Sequence, residues 1–240
     1  MTNLTKDHWT RRNGPSWKRP VRLRTTLRSR ECVRIGGNLI LAALHDNYVD
    51  SSGVSRPYTS GYIQSQYKGD WTYGAFEIKP SWLLVTACTP PFGMLPTDNL
   101  YGPWPNSGEM GAGGASSNLV YILPQPLFTK RFTMPSRDFS DDFHVFRAEC
   151  EPGQRSWHVD ANRCLTQTEC SAAGYPFPAP FNRRFFLILN VSIPGAKETL
   201  QDSPGEFPNT MTIDYRRVYS LMHLHRKAIL GIRIRTTCGR

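Results

Sequence analysis

Residues 94–114 read MLPTDNLYGPWPNSGEMGAGG. The last acid of the tract is Glu109, preceded by Trp104, Pro105, Asn106, Ser107 and Gly108 and followed by Met110, Gly111, Ala112, Gly113 and Gly114. No further Asp or Glu occurs until Asp138. The glycine-rich run lacks the Gly-Lys-Ser/Thr ending with which a P-loop delivers its lysine and hydroxyl to a nucleotide. That reading is excluded. In an extended strand alternate residues share a face, so 109, 111 and 113 would form one row, and a bulge would carry the row to 114.

Outward from this tract, the 19 glycines and 19 prolines are spread widely and divide the chain into short segments. Runs rich in β-branched and aromatic residues lie between them and predict strands near 38–44, 62–66, 73–79, 118–123, 143–149, 156–160, 185–191 and 210–219. Helical periodicity is nearly absent; a helix is predicted only around 221–230. Many short strands separated by turns predict an all-β sandwich or barrel, and 240 residues suit one such domain. Along 73–79 the polar or small residues Tyr73, Ala75, Glu77 and Lys79 alternate with Gly74, Phe76 and Ile78. A sheet with one buried face shows this pattern, and a curved polar face is a place where an extended ligand can lie.

The net charge of +10 is unevenly placed. Residues 1–34 carry ten Lys or Arg against two acids, and 216–240 carry seven with no acid, whereas 35–215 are mildly acidic with 12 against 17. The basicity belongs to the ends, and no nucleic-acid recognition module lies between them, so no specific nucleic-acid partner is predicted. No apolar run approaches the ~20 residues of a membrane span. The N-terminus shows no signal-like apolar run of roughly 7–15 residues. The six cysteines lack the close pairs of a zinc site, and neither a metal nor a cofactor is predicted; Cys164 and Cys170 are near enough in sequence for a small disulfide.

Trp104, Pro105, Ser107, Gly108 and Glu109 match, in order, the W-P-x-S-G-E-I-D-I-M-E type signature of glycoside hydrolase family 16. Further segments resemble that family in its own order: YTSGYIQSQ and YGAFEIK upstream, then FHVFRAE, WHVDA, PFNRRFFLILNVSIPG and FPNTMTIDYRRVYS downstream. The resemblance covers about residues 31–220. It implies an all-β, concanavalin-like β-jelly-roll sandwich over 31–220, with a basic extension at 1–30 and a basic tail at 221–240. It also implies a β-glucan polysaccharide or oligosaccharide as partner, a monomer, and an extracellular or cell-wall location.

By the same resemblance Glu109 takes the place of the nucleophile. Retaining glycosidases use two carboxyl groups roughly 5–5.5 Å apart, one attacking the anomeric carbon and the other protonating the leaving oxygen. Here Gly111 stands where the family's middle Asp is expected, and Gly113 or Gly114 where its acid/base Glu is expected. Losing a positioned acid removes a contribution of roughly 10²–10⁴ in rate. Other departures run in the same direction. Thr89 and Gly93, in TPPFGMLP, replace two aromatic residues; Cys150 follows FHVFRAE where the family often has Trp; and 82–88, WLLVTAC, does not match.

The remaining candidates for holding a glycan are Trp104, Tyr73, Trp71, His144 and Asn190. Each also has an ordinary structural role open to it, as a core aromatic or a satisfied polar group. Three functions follow. The chain is a β-glucan-recognising protein with an impaired catalytic site, an active or residually active retaining endo-β-1,3(4)-glucanase, or a divergent copy without a glycan role.

Overall fold

Alternation of burial along strands such as 74–82 separates an inner from an outer face: Phe76 and Ile78 are buried, whereas Glu77 and Lys79 are half-exposed. The computed structural model describes residues 2–3, 31–49, 53, 55–82, 91–113, 116–120, 129–131, 142–168, 174–191 and 207–221. Among these, the strands in chain order are β1 (Thr2–Asn3), β2 (Cys32–Ile35), β3 (Asn38–Val49), β4 (Ser55–Ser60), β5 (Tyr62–Gln64), β6 (Asp70–Trp71), β7 (Gly74–Trp82) and β8 (Pro91–Pro96). They continue with β9 (Glu109–Gly113), β10 (Ser116–Val120), β11 (Thr129–Arg131), β12 (Phe146–Glu151), β13 (Gln154–Val159), β14 (Asn162–Gln167), β15 (Phe185–Asn190) and β16 (Asn209–Tyr219).

Two antiparallel sheets result. The larger, of nine described strands, runs β14-β13-β12-β7-β16-β3-β2, with β1 on β16 and β4 on β3. The other, of seven, runs β11-β10-β9-β8-β15-β5, with β6 on β15. One apolar cluster joins them: Leu41, Phe76, Ile78, Phe146, Trp157, Met211 and Ile213 from the larger sheet meet Ile63, Phe92, Met94, Met110, Phe185, Leu187 and Leu189 from the smaller. Truncating one fully buried member such as Leu189 to Ala costs roughly 2–5 kcal/mol, through lost transfer energy and the cavity left behind.

Each of the eight predicted strands has a counterpart, with ends shifted by a few residues. The run 143–149 begins its strand only at Phe146. Before it, the Asp160 carboxylate takes the Val145 N–H at 2.9 Å and contacts His144 Nδ1 at 2.9 Å, so this backbone is satisfied outside the ladder. The predicted helix at 221–230 lies, apart from Leu221, outside the described residues, as do 4–30 of the N-terminal extension and 222–240 of the tail. Cys164, the described half of the possible disulfide, is a free thiol.

The polar face of 73–79 belongs to the larger sheet, where Lys79 pairs with Asp214 at 3.2 Å and Arg217 approaches Glu77 at 4.0 Å. Glu109 belongs to the other sheet. Alternation identified a solvated face, and period alone does not say which of two sheets carries it.

Candidate functional site

β9 is paired on both sides. Glu109 to Gly113 align with Val120 to Ser116 of β10, and Met110 to Gly113 align with Met94 to Pro91 of β8, without a register shift. Met110 packs into the core cluster, so Glu109, Gly111 and Gly113 fall on the opposite face. The unbroken register makes Gly113 the residue that shares this face. No bulge intervenes within the described strand, and Gly114 lies outside the described residues.

The register continues across the sheet. Gly111 opposes Gly93 of β8, Gly93 opposes Ile188 of β15, and Ile188 opposes Gln64 of β5. Phe186, Ile188 and Asn190 share this face, because Phe185, Leu187 and Leu189 fill the core. All three are buried, as is Gln64, whereas Glu109, Gly93, Leu95 and Gly111 are half-buried. The accessible part of the face is therefore centred on β8 and β9. Beside it a polar chain runs along YIQSQ: Tyr62 Oη donates to Gln64 Oε1 at 2.8 Å, Gln64 Nε2 to Gln66 Oε1 at 3.4 Å, and Gln66 Nε2 to the Thr97 carbonyl at 3.5 Å. The alternate polar residues 62, 64 and 66 were a signal for it in the sequence.

The segment 97–108 carries Trp104 to Glu109. Its tight turns form because Gly102, Asn106 and Gly108 donate N–H groups to the carbonyls of Asn99, Pro103 and Pro105 at 2.9, 3.0 and 2.9 Å. The Ser107 hydroxyl, buried, accepts the Tyr101 N–H at 3.1 Å and donates to the Gly102 carbonyl at 2.7 Å. Tyr101 Oη donates to Asn182 Oδ1 at 2.8 Å, and Arg183 meets Asp98 at 2.7 Å. That hydrogen bond to Arg183 holds the Asp98 carboxyl below its ordinary range. Gly108 has φ +81°, and a Cβ there would lie 2.9 Å from both Pro180 Cγ and Phe181 Cε1. Only glycine fits this close approach. The signature's Ser-Gly pair thus has a structural reason: one residue ties the turn together and the next lets it pack.

So placed, the Trp104 indole Nε1–H donates to Glu109 Oε2 at 2.8 Å. Of the residues singled out from sequence, the structure brings together Glu109 and Trp104, and puts Asn190 on the same sheet face. The others stand apart from this pair. Trp71 is opposite Phe185 on the core side, 5.7 Å from the Phe76 ring at 60°. His144, 6% exposed, leads into β12 of the larger sheet beside Asp160. Tyr73 packs by the buried guanidinium of Arg155, whose Cζ is 5.9 Å from its ring centre; that guanidinium bonds the carbonyls of Glu151, Gln154 and Phe181. Cys150 points into the core, with Sγ 3.5 Å from Met110 Sδ, directly beneath the Glu109 strand. Thr89 lies outside the described residues, while Gly93 leaves the floor beside Gly111 without a side chain. Among the described residues no group of His, Cys, Asp and Glu could hold a metal ion.

No family model matches the chain. A β-glucanase of Rhodothermus marinus is 32% identical over 210 residues, covering 79% of this chain and 70% of that protein. A β-1,3-glucan-binding protein of Penaeus monodon is 27% identical over 192 residues, which are 66% of this chain and 52% of that protein. Among solved structures, the laminarinase of Rhodothermus marinus superposes with a TM-score of 0.74 at 26% identity, covering 91% of this chain and 92% of that one. The all-β jelly-roll sandwich implied by the sequence is borne out. With the order of its motifs, its two-sheet topology and these relatives in agreement, the chain belongs to glycoside hydrolase family 16, the laminarinase-like β-glucanases.

Proposed function

We propose that this chain is a β-glucan-recognising protein of the family 16 type whose catalytic site is impaired. The observation that carries the reading is the face of β9, where Glu109 is followed in register by Gly111 and Gly113. A retaining mechanism needs a second carboxyl roughly 5–5.5 Å from the first. Neither glycine can supply it. What remains suits recognition: Trp104 is half-buried beside the carboxylate, and the amide side chains of Gln64 and Gln66 lie at and just beyond β5 of the same sheet. The Penaeus relative supports a glucan ligand through the binding role in its name. No helix among the described residues is long and apolar enough to cross a membrane. The expected monomer and the extracellular or cell-wall setting belong to this proposal too.

The second reading is a residually active retaining endo-β-1,3(4)-glucanase. It is favoured by the hydrogen bond that holds Glu109 in place, since an abandoned carboxylate needs no such partner, and by the identity to a β-glucanase. Two assays separate them: reducing-end release from laminarin and lichenan, with Glu109→Gln as control, and co-sedimentation with insoluble β-1,3-glucan. Binding without release supports recognition. Release that the variant abolishes supports the glucanase, and neither binding nor release overturns both.

A further inference from the structure

Tyr67 lies in the turn that leaves β5 and enters β6, with φ +61° and 78% of its surface exposed. A bulky residue in this region of backbone space is strained, and such outliers gather at active sites and ligand clamps. The turn around it is fixed. The Ser65 carbonyl accepts the N–H groups of Lys68 and Gly69 at 2.9 and 2.8 Å. The Ser65 hydroxyl donates to the Gly69 carbonyl at 2.5 Å and accepts the Leu187 N–H at 3.0 Å. Beyond the turn, Arg184 holds the Asp70 carboxylate at 2.7 Å. Asp160 is the other described non-glycine residue at positive φ, and its carboxylate contacts Val145 and His144, so its conformation serves the fold. The Tyr67 side chain makes no such bond among the described residues.

The turn also lies in line with Glu109. Met94 opposes Met110, which sets Leu95 at the level of Glu109; Leu95 opposes Phe186, and Phe186 opposes Asp70. From β9 through β8 and β15 to β6 is three strand spacings, about 14 Å. Gln66 Nε2 ties the turn to the Thr97 carbonyl at 3.5 Å, at the root of the segment that carries Trp104. We propose that the Tyr67 ring is a platform for a distal glucosyl unit of a β-glucan that crosses the strands from Trp104 and Glu109, so that the protein selects long oligosaccharides over short ones. The inference rests on the glucan-binding reading above. A pyranose lays its apolar face on an aromatic ring and turns its hydroxyls to polar neighbours. Tyr67 is a single exposed ring between half-buried Gln66 and exposed Lys68, a setting that fits one sugar and is too small and polar for a protein partner. A turn fixed before the ligand arrives gives up little freedom on binding.

The test uses the full chain. Laminarihexaose affinity is measured by calorimetry, laminaribiose affinity by displacement of the hexaose, and stability by the thermal unfolding midpoint. Laminaribiose is too short to reach both Glu109 and Tyr67. Tyr67→Gly is expected to weaken hexaose binding about tenfold and to leave laminaribiose binding unchanged. It is also expected to unfold at the same or a higher temperature, because glycine takes a positive φ without strain. Tyr67→Phe keeps the ring and is expected to bind the hexaose within about twofold of the unaltered chain. Four results overturn the proposal and leave glucan recognition standing. An unchanged hexaose affinity in Tyr67→Gly removes the ring from the interface, and an equal loss for the two sugars denies it a distal place. A lowered midpoint with weaker binding makes the residue a structural one, and a tenfold loss in Tyr67→Phe assigns the effect to the hydroxyl. An unaltered chain that binds neither sugar overturns glucan recognition itself and the platform with it.

Discussion

The Trp104 indole N–H donates to Glu109 Oε2 at 2.8 Å, joining the segment 97–108 to the first residue of β9. A hydrogen bond to a charged acceptor contributes roughly 1.5–3 kcal/mol, and a ring face adds apolar contact for a pyranose. The two contributions can be separated. Trp104→Phe keeps a ring and loses the N–H, whereas Trp104→Ala loses both. Laminarihexaose affinity measured by calorimetry is expected to fall about tenfold further in the alanine variant than in the phenylalanine one. Equal affinities for the two would show that the ring does not touch the glucan.

Gly113→Glu places a carboxyl on the face that Glu109 occupies, in a register free of shifts. Reducing-end release from laminarin is expected to rise by about 10²-fold or more over the unaltered chain, toward what a positioned general acid contributes. Unchanged release, with glucan binding intact, would place the obstacle elsewhere in the site.

Gly108→Ala tests the seat of the segment 97–108. At φ +81° a side chain is strained, and its Cβ would press on the Pro180 and Phe181 rings at 2.9 Å. A loss of about 1–3 kcal/mol is expected from urea unfolding. The affinity for laminarihexaose should fall as well, because Trp104 and Glu109 depend on the turns that Gly108 closes.

On the far face of the larger sheet, Glu149 is held to a pKa of about 2, first by its hydrogen bond with His158 at 3.1 Å, then by the charge of the adjacent Arg147, with Ser156 Oγ adding a bond at 3.2 Å. A depressed carboxyl stabilises the folded chain above its ordinary pKa of 4.5, and that stability is lost as pH falls from 4.5 toward 2. Allowing for solvent screening, the contribution is about 1–2 kcal/mol. Glu149→Gln should therefore lower stability at pH 7 by that amount and converge with the unaltered chain near the acid end of a denaturant series. Parallel curves across the whole range would contradict the ion-pair origin.

Strands with apolar alternation, such as β7 and β16, and the continuous apolar run of β15 were legible because packing and pattern agree in them. β8 was not, since Pro91, Gly93 and Pro96 read as breakers. Both prolines turn out to stand at the ends of the strand, where a missing N–H is tolerated. The hairpin of β2 and β3 was missed although its signal was present: Gly36 and Gly37 take φ +58° and +88°, the pair of positive angles that a two-residue turn requires. β14 escaped because NRCLTQ is polar, as an exposed edge strand can be. At the site, ordered motifs located Glu109 and Trp104, since both sit on one local segment. Tyr73, Trp71 and His144 could not be placed the same way. Which side of a sheet an aromatic or imidazole faces depends on register with distant strands, which a single chain reading does not contain.

The glycine pair at 93 and 111 has a consequence for how such a chain changes over generations. Its two backbones remain hydrogen-bonded across β8 and β9, and the shape of the sheet rests on that ladder and on the Met110 side beneath, not on whatever stands above. Chemistry and architecture are thereby inherited separately. Every glycine codon is a single base from one for Asp or Glu, so a lineage can lay down its acids and take them up again while the folded scaffold persists throughout.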